Sequence, residues 1–402
     1  MNGARITVVG IGADGWSGLG EAARHAILAS DEVIGSRRQL DLLPDGGPAA
    51  RELPSPLDGL LDELAERTDG AVCVLASGDP MLHGIGATLA RRVGPERLAV
   101  HPHPSAFALA CARLGWPEAE VELVSAVARP AAVVARSLQP GRRAVIYATG
   151  ESGASEVAAV LRERGFGLSR FVVLEQLGAQ HEHVTNTTAD DWGARTADPL
   201  HAIAIEARGG RALARVPGLP DDAYETDGQL TKRHVRAATL ALLAPLPGEL
   251  LWDVGAGSGS IAIEWLRAEP TARATAIESR SDRTERIAAN ATTLGVPDRI
   301  EIVRAQAPDA LAGLEGPHAI FIGGGITGDG MLEYCWRALI PGGRIVANAV
   351  TLESEQRLVA AREQYGGELT RIEISHAEPL GGFSGWRAQM PVVQWWARKE
   401  VE

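Results

Sequence analysis

The chain is 402 residues long, more than one hydrophobic core usually holds together, so two domains are expected. Its 45% hydrophobic and 22% charged residues are ordinary for a water-soluble globular protein, and no apolar run reaches the ~18 residues that span a bilayer. The formal net charge of -12 argues against a nucleic-acid partner, whose phosphates require clustered cations.

Met1 leads into ARITVVGIG without a charged leader, so a cytoplasmic protein without a membrane partner is expected. From Ala4 to about Arg208, short β-branched runs alternate with amphipathic stretches. The runs are RITVVGIG, DEVIGS, AVCVLASGD, RLAVHPH, VELVSAV, RRAVIYATG, FVVLEQL and HAIAIEA; LGEAARHAILAS, LDGLLDELAERT and ASEVAAVLRERG are the helix candidates. Near-continuous apolar strands joined through helices predict an α/β domain over 1–208 with a mostly parallel sheet covered on both faces. Gly, Pro and acidic residues then break the rhythm in RGGRALARVPGLPDDAYETDG, which places a linker at 209–228.

A second alternation fills 229–402. It runs through the helix TKRHVRAATLALLA, the strand ELLWDVG, the helix SIAIEWLRAEP, the strand RATAIE and the helix DRTERIAANATTLG. The strands RIEIVRA, HAIFIGGG and GGRIVANAV follow, then apolar runs around LTRIEISHAEP and MPVVQWWAR. This predicts one doubly wound domain with an antiparallel tail, in which Trp395 and Trp396 serve packing. Cys73, Cys111 and Cys335 lie in apolar segments without CxxC spacing and read as buried thiols. No metal site is expected, because His101 and His103 of HPHP supply too few ligands.

Gly10, Gly12 and Gly15 satisfy the dinucleotide pattern GxGxxG, and Asp31 and Glu32 follow at about its distance. Those acids begin the next strand, however, whereas a ribose-binding acid stands at a strand's carboxyl end. The nicotinamide reading therefore fails on topology. Three turns instead fall together at carboxyl ends of strands, where open α/β sheets bind ligands: Gly10–Gly12, Gly78-Asp79-Pro80 with Gly84 and Gly86 opening the next helix, and the helix start at Ser105.

In LLWDVGAGSGSIAIEW, Gly255, Gly257 and Gly259 form GxGxG between a strand and a helix, with Ser260 where a dinucleotide site would want a third glycine. Glu278 ends the next strand, where a carboxylate can accept both hydroxyls of an adenosine ribose. This is the pattern of class I methyltransferases, and the ligand it points to is S-adenosylmethionine.

VVGIGADG, LASGDPMLHGIG and PHPSAFALACARLGWP resemble the tetrapyrrole methylases of the cobalamin pathway. That resemblance implies a fold of two α/β subdomains with a cofactor cleft between them. TKRHVRA, LLWDVGAGSGSIAIEW, IFIGGG and VANAVTLE resemble the decarboxylating methyltransferase of corrin synthesis, with a Rossmann-like class I fold. Their fusion in this order resembles, over nearly the whole chain, the family of precorrin-6Y C5,15-methyltransferases (decarboxylating). The usual GxGPG stands here as GIGADG, without the proline. The resemblance implies methyl transfer to C5 and C15 of one tetrapyrrole, loss of carbon dioxide from its ring-C acetate, and two S-adenosylmethionine sites per chain. Gly10, Gly12, Gly78, Asp79, Met81 and Ser105 would lie around the first site. Thr231, Gly255, Ala256, Gly257, Ser258, Gly259, Glu278 and Ala307 would line the second. The first domain's family commonly dimerises, so a homo-oligomer is expected.

A tetrapyrrole ring carbon is itself nucleophilic, which suits a sequence without a recognisable triad or ligand cluster. His234 is a candidate proton donor, with Arg236 as a second catalytic candidate. The polyacidic substrate needs local cations: Arg37 and Arg38 in the first domain, Lys232 and Arg233 in the second, where Arg236 is also a candidate. Asn348 in VANAV stands at a strand end without an assigned role. The competing reading is a methyltransferase acting on RNA or protein. The strand ending IFIGGG lacks the Asp/Asn-Pro-Pro-aromatic turn common in enzymes that methylate base amino groups. A non-catalytic metabolite sensor is the remaining rival.

Overall fold

ITVVGI is apolar on both faces, and it folds as β1 (Ile6–Ile11) in the interior of a fully parallel sheet, as such a run requires. The structure, a computed structural model, describes residues 5–401, so the strand onset expected at Ala4 lies outside the described residues. With β2 (Glu32–Gly35), β3 (Ala49–Glu52), β4 (Val72–Ser77) and β5 (Leu98–His101), the sheet order is β3-β2-β4-β1-β5. The expected helices form at Glu21–Leu28 and Asp58–Glu66. Ala23 and Ile27 of the first bury against Val9 and Ile11, while Leu60, Leu61 and Leu64 of the second bury with Ile6 and Val8. The register Ile11↔Ser77 and Val9↔His101 brings three carboxyl ends side by side, which places the three expected turns on one edge.

The next five strands depart from the expected parallel arrangement. β6 (Val121–Ser125) and β7 (Arg143–Tyr147) are parallel, but β8 (Arg170–Glu175), β9 (His183–Thr188) and β10 (His201–Glu206) complete a mixed sheet of order β6-β7-β10-β8-β9. β10 runs antiparallel to both β7 and β8. A fully buried strand such as AIAI reads as a continuous apolar run in either direction, so direction is not legible from composition.

Two compact units result: Met1–Ala131 with Gln139–Arg211, and Ala132–Leu138 with Ala212–Glu402. The stretch expected as a linker is anchored to the second unit at Gly218, Leu219 and Tyr224, while most of the rest is exposed. Leu219 and Tyr224 are buried in the second unit's core, and Glu264 accepts from Gly218 N and Leu219 N.

The second unit is a seven-stranded sheet. β11 (Leu250–Val254), β12 (Arg273–Glu278), β13 (Ile300–Arg304), β14 (Ala319–Ile322), β15 (Arg344–Ala349), β16 (Glu368–Ile372) and β19 (Val392–Arg398) take the order β13-β12-β11-β14-β15-β19-β16. β17 (Ser375–Leu380) and β18 (Phe383–Ala388) form a separate hairpin. The first five strands are parallel, and β19 is antiparallel to β15 and β16, as the tail predicts. Trp395 is fully buried, and its ring lies 6.3 Å from those of Trp336 and Tyr365. Two helices that the periodicity left unannounced, Met331–Ala338 and Leu352–Tyr365, connect the later strands. In the second only Leu358 and Ala361 are buried, too thin a stripe to announce itself. Strand order reverses between β11 and β14, the switch point where a doubly wound sheet opens a crevice. Among the described residues no helix is long and apolar enough to cross a membrane, and no His/Cys/Asp/Glu group could hold a metal ion.

Two candidate cofactor sites

Glycine shapes the C-terminal crevice. Between β11 and the helix Ser260–Ala268 the chain turns sharply, and Gly255, Gly257 and Gly259 take φ of +69°, +59° and +76°. Gly255 N and Ala256 N both donate to Ile277 O, at 2.9 and 3.1 Å, which ties the loop to the end of β12. Glu278 is buried there. Its Oε2 accepts from Gly257 N and its Oε1 from Arg280 N, each at 3.0 Å. The carboxylate is thus held at the strand's end with lone pairs to spare for a diol.

The crevice has a volume of about 870 Å³, within the usual range for small-molecule sites. Thr231, Gly255, Ala256, Gly257, Ser258, Glu278 and Ala307 line it, as does the cation Lys232. Gly259 stands behind the wall, where a Cβ would lie 2.9 Å from Ile287 Cγ2. Arg233 and His234 fall outside the lining. The Arg233 guanidinium donates to Gly218 O at 2.8 Å, and the His234 ring packs 5.7 Å from that of His376. His376 in turn lies 2.9 Å from Gln389 Nε2, and Gln389 does reach the crevice.

Arg236, expected to be catalytic, is fully buried away from the crevice. Its Nε donates to Glu264 Oε1 at 2.5 Å, its Nη1 to Asp221 at 3.2 Å and to Thr231 O, and its Nη2 to Leu219 O. A guanidinium committed in this way braces the fold; it has no free face for a substrate.

Sequence reasoning gave no role to Asn348, nor to Gln306 or Arg283, yet all three line the crevice. Asn348 Nδ2 donates to Thr239 Oγ1 at 3.1 Å, and Gln394 Nε2 donates to both Thr239 Oγ1 and Asn348 Oδ1 at 2.9 Å. Only the strand-end position of Asn348 signalled it. Arg283 pairs with Asp227 at 2.9 Å and lies 4.0 Å from Glu278.

Asp253 lies buried under the loop. Its Oδ2 accepts from Ala262 N at 3.0 Å, while Oδ1 has no hydrogen-bond partner among the described residues. Burial, reinforced by the nearby charge of Glu278, pushes this carboxyl from an ordinary 3.8 to about 7. Between those values the folded chain holds a proton that the unfolded chain has released, so the group's contribution to stability falls as pH rises from about 4 to 7. Asp253→Asn removes that slope. Urea midpoints measured at intervals across this window should favour the variant progressively, and a constant difference from the natural chain would contradict the assignment.

The first unit is tighter. A Cβ on Gly10 would lie 2.0 Å from Gly78 O and 2.9 Å from His103 N, and one on Gly12 would lie 2.5 Å from His103 Nε2. Gly78 has φ +61°, and its Cβ would meet Ser105 Cα at 3.2 Å. The three turns therefore pack directly on one another, as their placement predicts. Met81 N donates to Asp79 Oδ1 at 2.8 Å and leaves the Met81 side chain exposed. Ser105 Oγ caps the helix Ala106–Leu114 by accepting from Ala108 N. His103 Nε2 lies 3.2 Å from Asp14 Oδ1, so this histidine links two turns.

The two arginines expected at this edge differ. Arg37 is 76% exposed and pairs with Asp41, whereas Arg38 donates to Ser77 Oγ at 3.0 Å beside the carboxyl end of β4. Burial pulls the Arg38 guanidinium below its ordinary value, partly offset by Asp198.

Two family models match in tandem: Tetrapyrrole (Corrin/Porphyrin) Methylases over residues 5–192, and Precorrin methyltransferase domain over 222–399. The chain is 46% identical over 395 residues to the precorrin-6Y C(5,15)-methyltransferase [decarboxylating] of Sinorhizobium sp, covering 97% of this chain and 95% of that one. The chain belongs to the precorrin-6Y C5,15-methyltransferase (decarboxylating) family. The Mycobacterium tuberculosis protein of the same description is also 46% identical, over 97% of this chain and 98% of its own length. The solved C-terminal domain of precorrin-6Y C5,15-methyltransferase from Rhodobacter capsulatus is 50% identical over 46% of this chain and 100% of that one, with a TM-score of 0.45.

Members of this precorrin methyltransferase family use S-adenosylmethionine as methyl donor, and the residues present fit it. The glycine loop leaves room at Gly257, whose Cβ would meet nothing nearer than Gln229 O at 3.7 Å, and the Glu278 carboxylate at the end of β12 has acceptor capacity that would fit a ribose diol. Gly255 is a further check on that fit. A Cβ there would lie 2.8 Å from Gly324 N, in left-handed backbone that costs an L residue about 1–2 kcal/mol. Gly255→Ala should weaken cofactor binding to this unit by about tenfold or more in calorimetric titration. Unchanged affinity would show that the contact between the two loops does not shape the site.

Proposed function

We propose that this chain methylates precorrin-6Y at C5 and C15 and removes the carboxyl group of the ring-C acetate, in cobalamin biosynthesis, with a separate S-adenosylmethionine site in each unit. The observation that carries the reading is the presence, in one chain, of two unlike glycine-built edges at carboxyl ends of strands, each within its own family match. When bound, S-adenosylmethionine supplies a methyl group already activated on a positively charged sulfur. The chain's own task is to hold a ring carbon in line with it, and positioning of that kind can be worth about 7–11 kcal/mol.

In the C-terminal unit, Glu278 and the N–H groups of the glycine loop orient the cofactor, and Lys232 pairs with a substrate carboxylate at the wall. Decarboxylation breaks the bond between the acetate methylene and its carboxyl carbon. The electron pair passes into the conjugated macrocycle, so no electron sink from the protein is needed. His234, outside the lining beside His376, is the candidate proton donor. In the N-terminal unit, Gly10, Gly12, Gly78, Asp79, Met81 and Ser105 surround the other cofactor. Arg38 serves the substrate better than Arg37, because it is held beside β4 while Arg37 faces solvent. A homo-oligomer in the cytoplasm completes the proposal.

Mass spectrometry of the tetrapyrrole after incubation with S-adenosylmethionine tests it. Two added methyl groups and one lost carboxyl group are expected; an unaltered tetrapyrrole, or modification of RNA instead, would overturn the reading.

A further inference from the structure

One cluster at the edge of the N-terminal unit has no part in the assignments above. His83, between β4 and the helix Ile85–Val93, has φ +56°, left-handed backbone that residues with a side chain rarely adopt. Ala128 has φ +55° and lines a cavity of about 450 Å³ with Arg129, Thr149 and Glu156. Ala128 precedes Arg129, whose charge reaches the His83 imidazole, and residues held in such sparsely populated backbone cluster at functional sites. The His83 ring meets Tyr147, the last residue of β7, edge to face at 6.5 Å and 79°. The Tyr147 hydroxyl is itself fixed, accepting from Phe107 N at 2.8 Å.

Arg129, from the cavity segment, is the charge that acts on this imidazole; Tyr147 of β7, which it meets, stays a neutral phenol, with Cys111 and Asp79 of the His83 loop acting on that hydroxyl. His83 is largely exposed, and its partial desolvation, with the Arg129 charge, pushes the imidazole below its usual value, which favours the unprotonated ring. Asp79 and Met81, assigned to the cofactor, lie within four residues of it on the same loop.

We propose that His83 is the proton acceptor of the N-terminal methyl transfer. The assignment rests on the function proposed above. Replacing the hydrogen of a ring methine by a methyl group forms a carbon–carbon bond from the ring's π electrons as the sulfonium–methyl bond breaks; the electron pair of that bond leaves on the sulfur of S-adenosylhomocysteine, now neutral, and the positive charge passes to the macrocycle. The carbon–hydrogen bond at the same carbon then breaks, its electron pair restores the π system, and the proton passes to the imidazole. Methyl, proton and charge balance without any further reactant.

The test is His83→Asn in the full chain, since asparagine tolerates left-handed backbone yet offers no base at neutral pH. Methyl additions are followed in time by mass spectrometry across pH 5 to 8, with S-adenosylmethionine binding measured by calorimetry in parallel. The variant should bind the cofactor as the natural chain does and slow one of the two methyl additions by on the order of 10²-fold. It should also lose the fall in that step's rate at low pH, and regain rate with added imidazole. A variant with the natural rate and the natural acid limb would overturn the assignment while leaving the proposed function standing. So would a slow variant that keeps the acid limb and ignores imidazole. A natural chain that adds no methyl group at all would remove both.

Discussion

Arg236→Met should destabilise the C-terminal unit by about 3–5 kcal/mol, although the residue was expected to act on substrate. Glu264, 2% exposed, accepts from Gly218 N, Leu219 N, the Tyr224 hydroxyl and Arg236 Nε. Removing the guanidinium leaves a buried carboxylate without its counter-charge, and breaking a buried pair costs far more than the pair contributes over an apolar substitute. Burial and the same carboxylate hold the Tyr224 hydroxyl well above its ordinary value, so it stays protonated as a donor to Glu264. Scanning calorimetry of the full chain should show the C-terminal unit's transition moved to lower temperature. Arg37→Ala, which removes an exposed ion pair to Asp41, should change stability by no more than ~1 kcal/mol. If Arg236→Met unfolds like the natural chain yet fails to decarboxylate, the catalytic reading of Arg236 returns.

Glu278→Gln should produce the largest functional loss in the same unit. The amide oxygen still accepts from Gly257 N, but the amide nitrogen cannot accept from Arg280 N, and the charge that would receive the ribose hydroxyls is gone. Hydrogen bonds to charged groups contribute about 1.5–3 kcal/mol, so affinity at this site should fall from about tenfold to over a hundredfold. Titration of the full chain with S-adenosylmethionine reads this directly, because the N-terminal site should be untouched. Equal weakening at both sites, or at neither, would contradict the proposed division of two sites between the units.

What the sequence made legible follows the range of the interactions involved. The glycine loops, the acid ending β12 and the parallel strands of the first sheet are local patterns, each set by a few consecutive residues, and the structure forms them at the expected positions. The fate of Arg236 depends on Glu264, 28 residues further along, and on Asp221, 15 residues before it. Nothing near Arg236 in the sequence announces either partner. The same holds for Asn348, whose partner Thr239 is 109 residues away, and for the antiparallel β10, whose apolar run carries no direction. The segment expected as a linker misled because its Gly and Pro residues do mark turns, yet Leu219 and Tyr224 between them reach the core.

Isothermal titration of the intact protein with S-adenosylmethionine measures directly whether one chain carries the two unlike sites proposed for it. Two equivalents should bind per chain, falling to one tight equivalent in Glu278→Gln. A single equivalent in the natural protein, abolished by that substitution, would leave the N-terminal edge without a cofactor and rule out the second site.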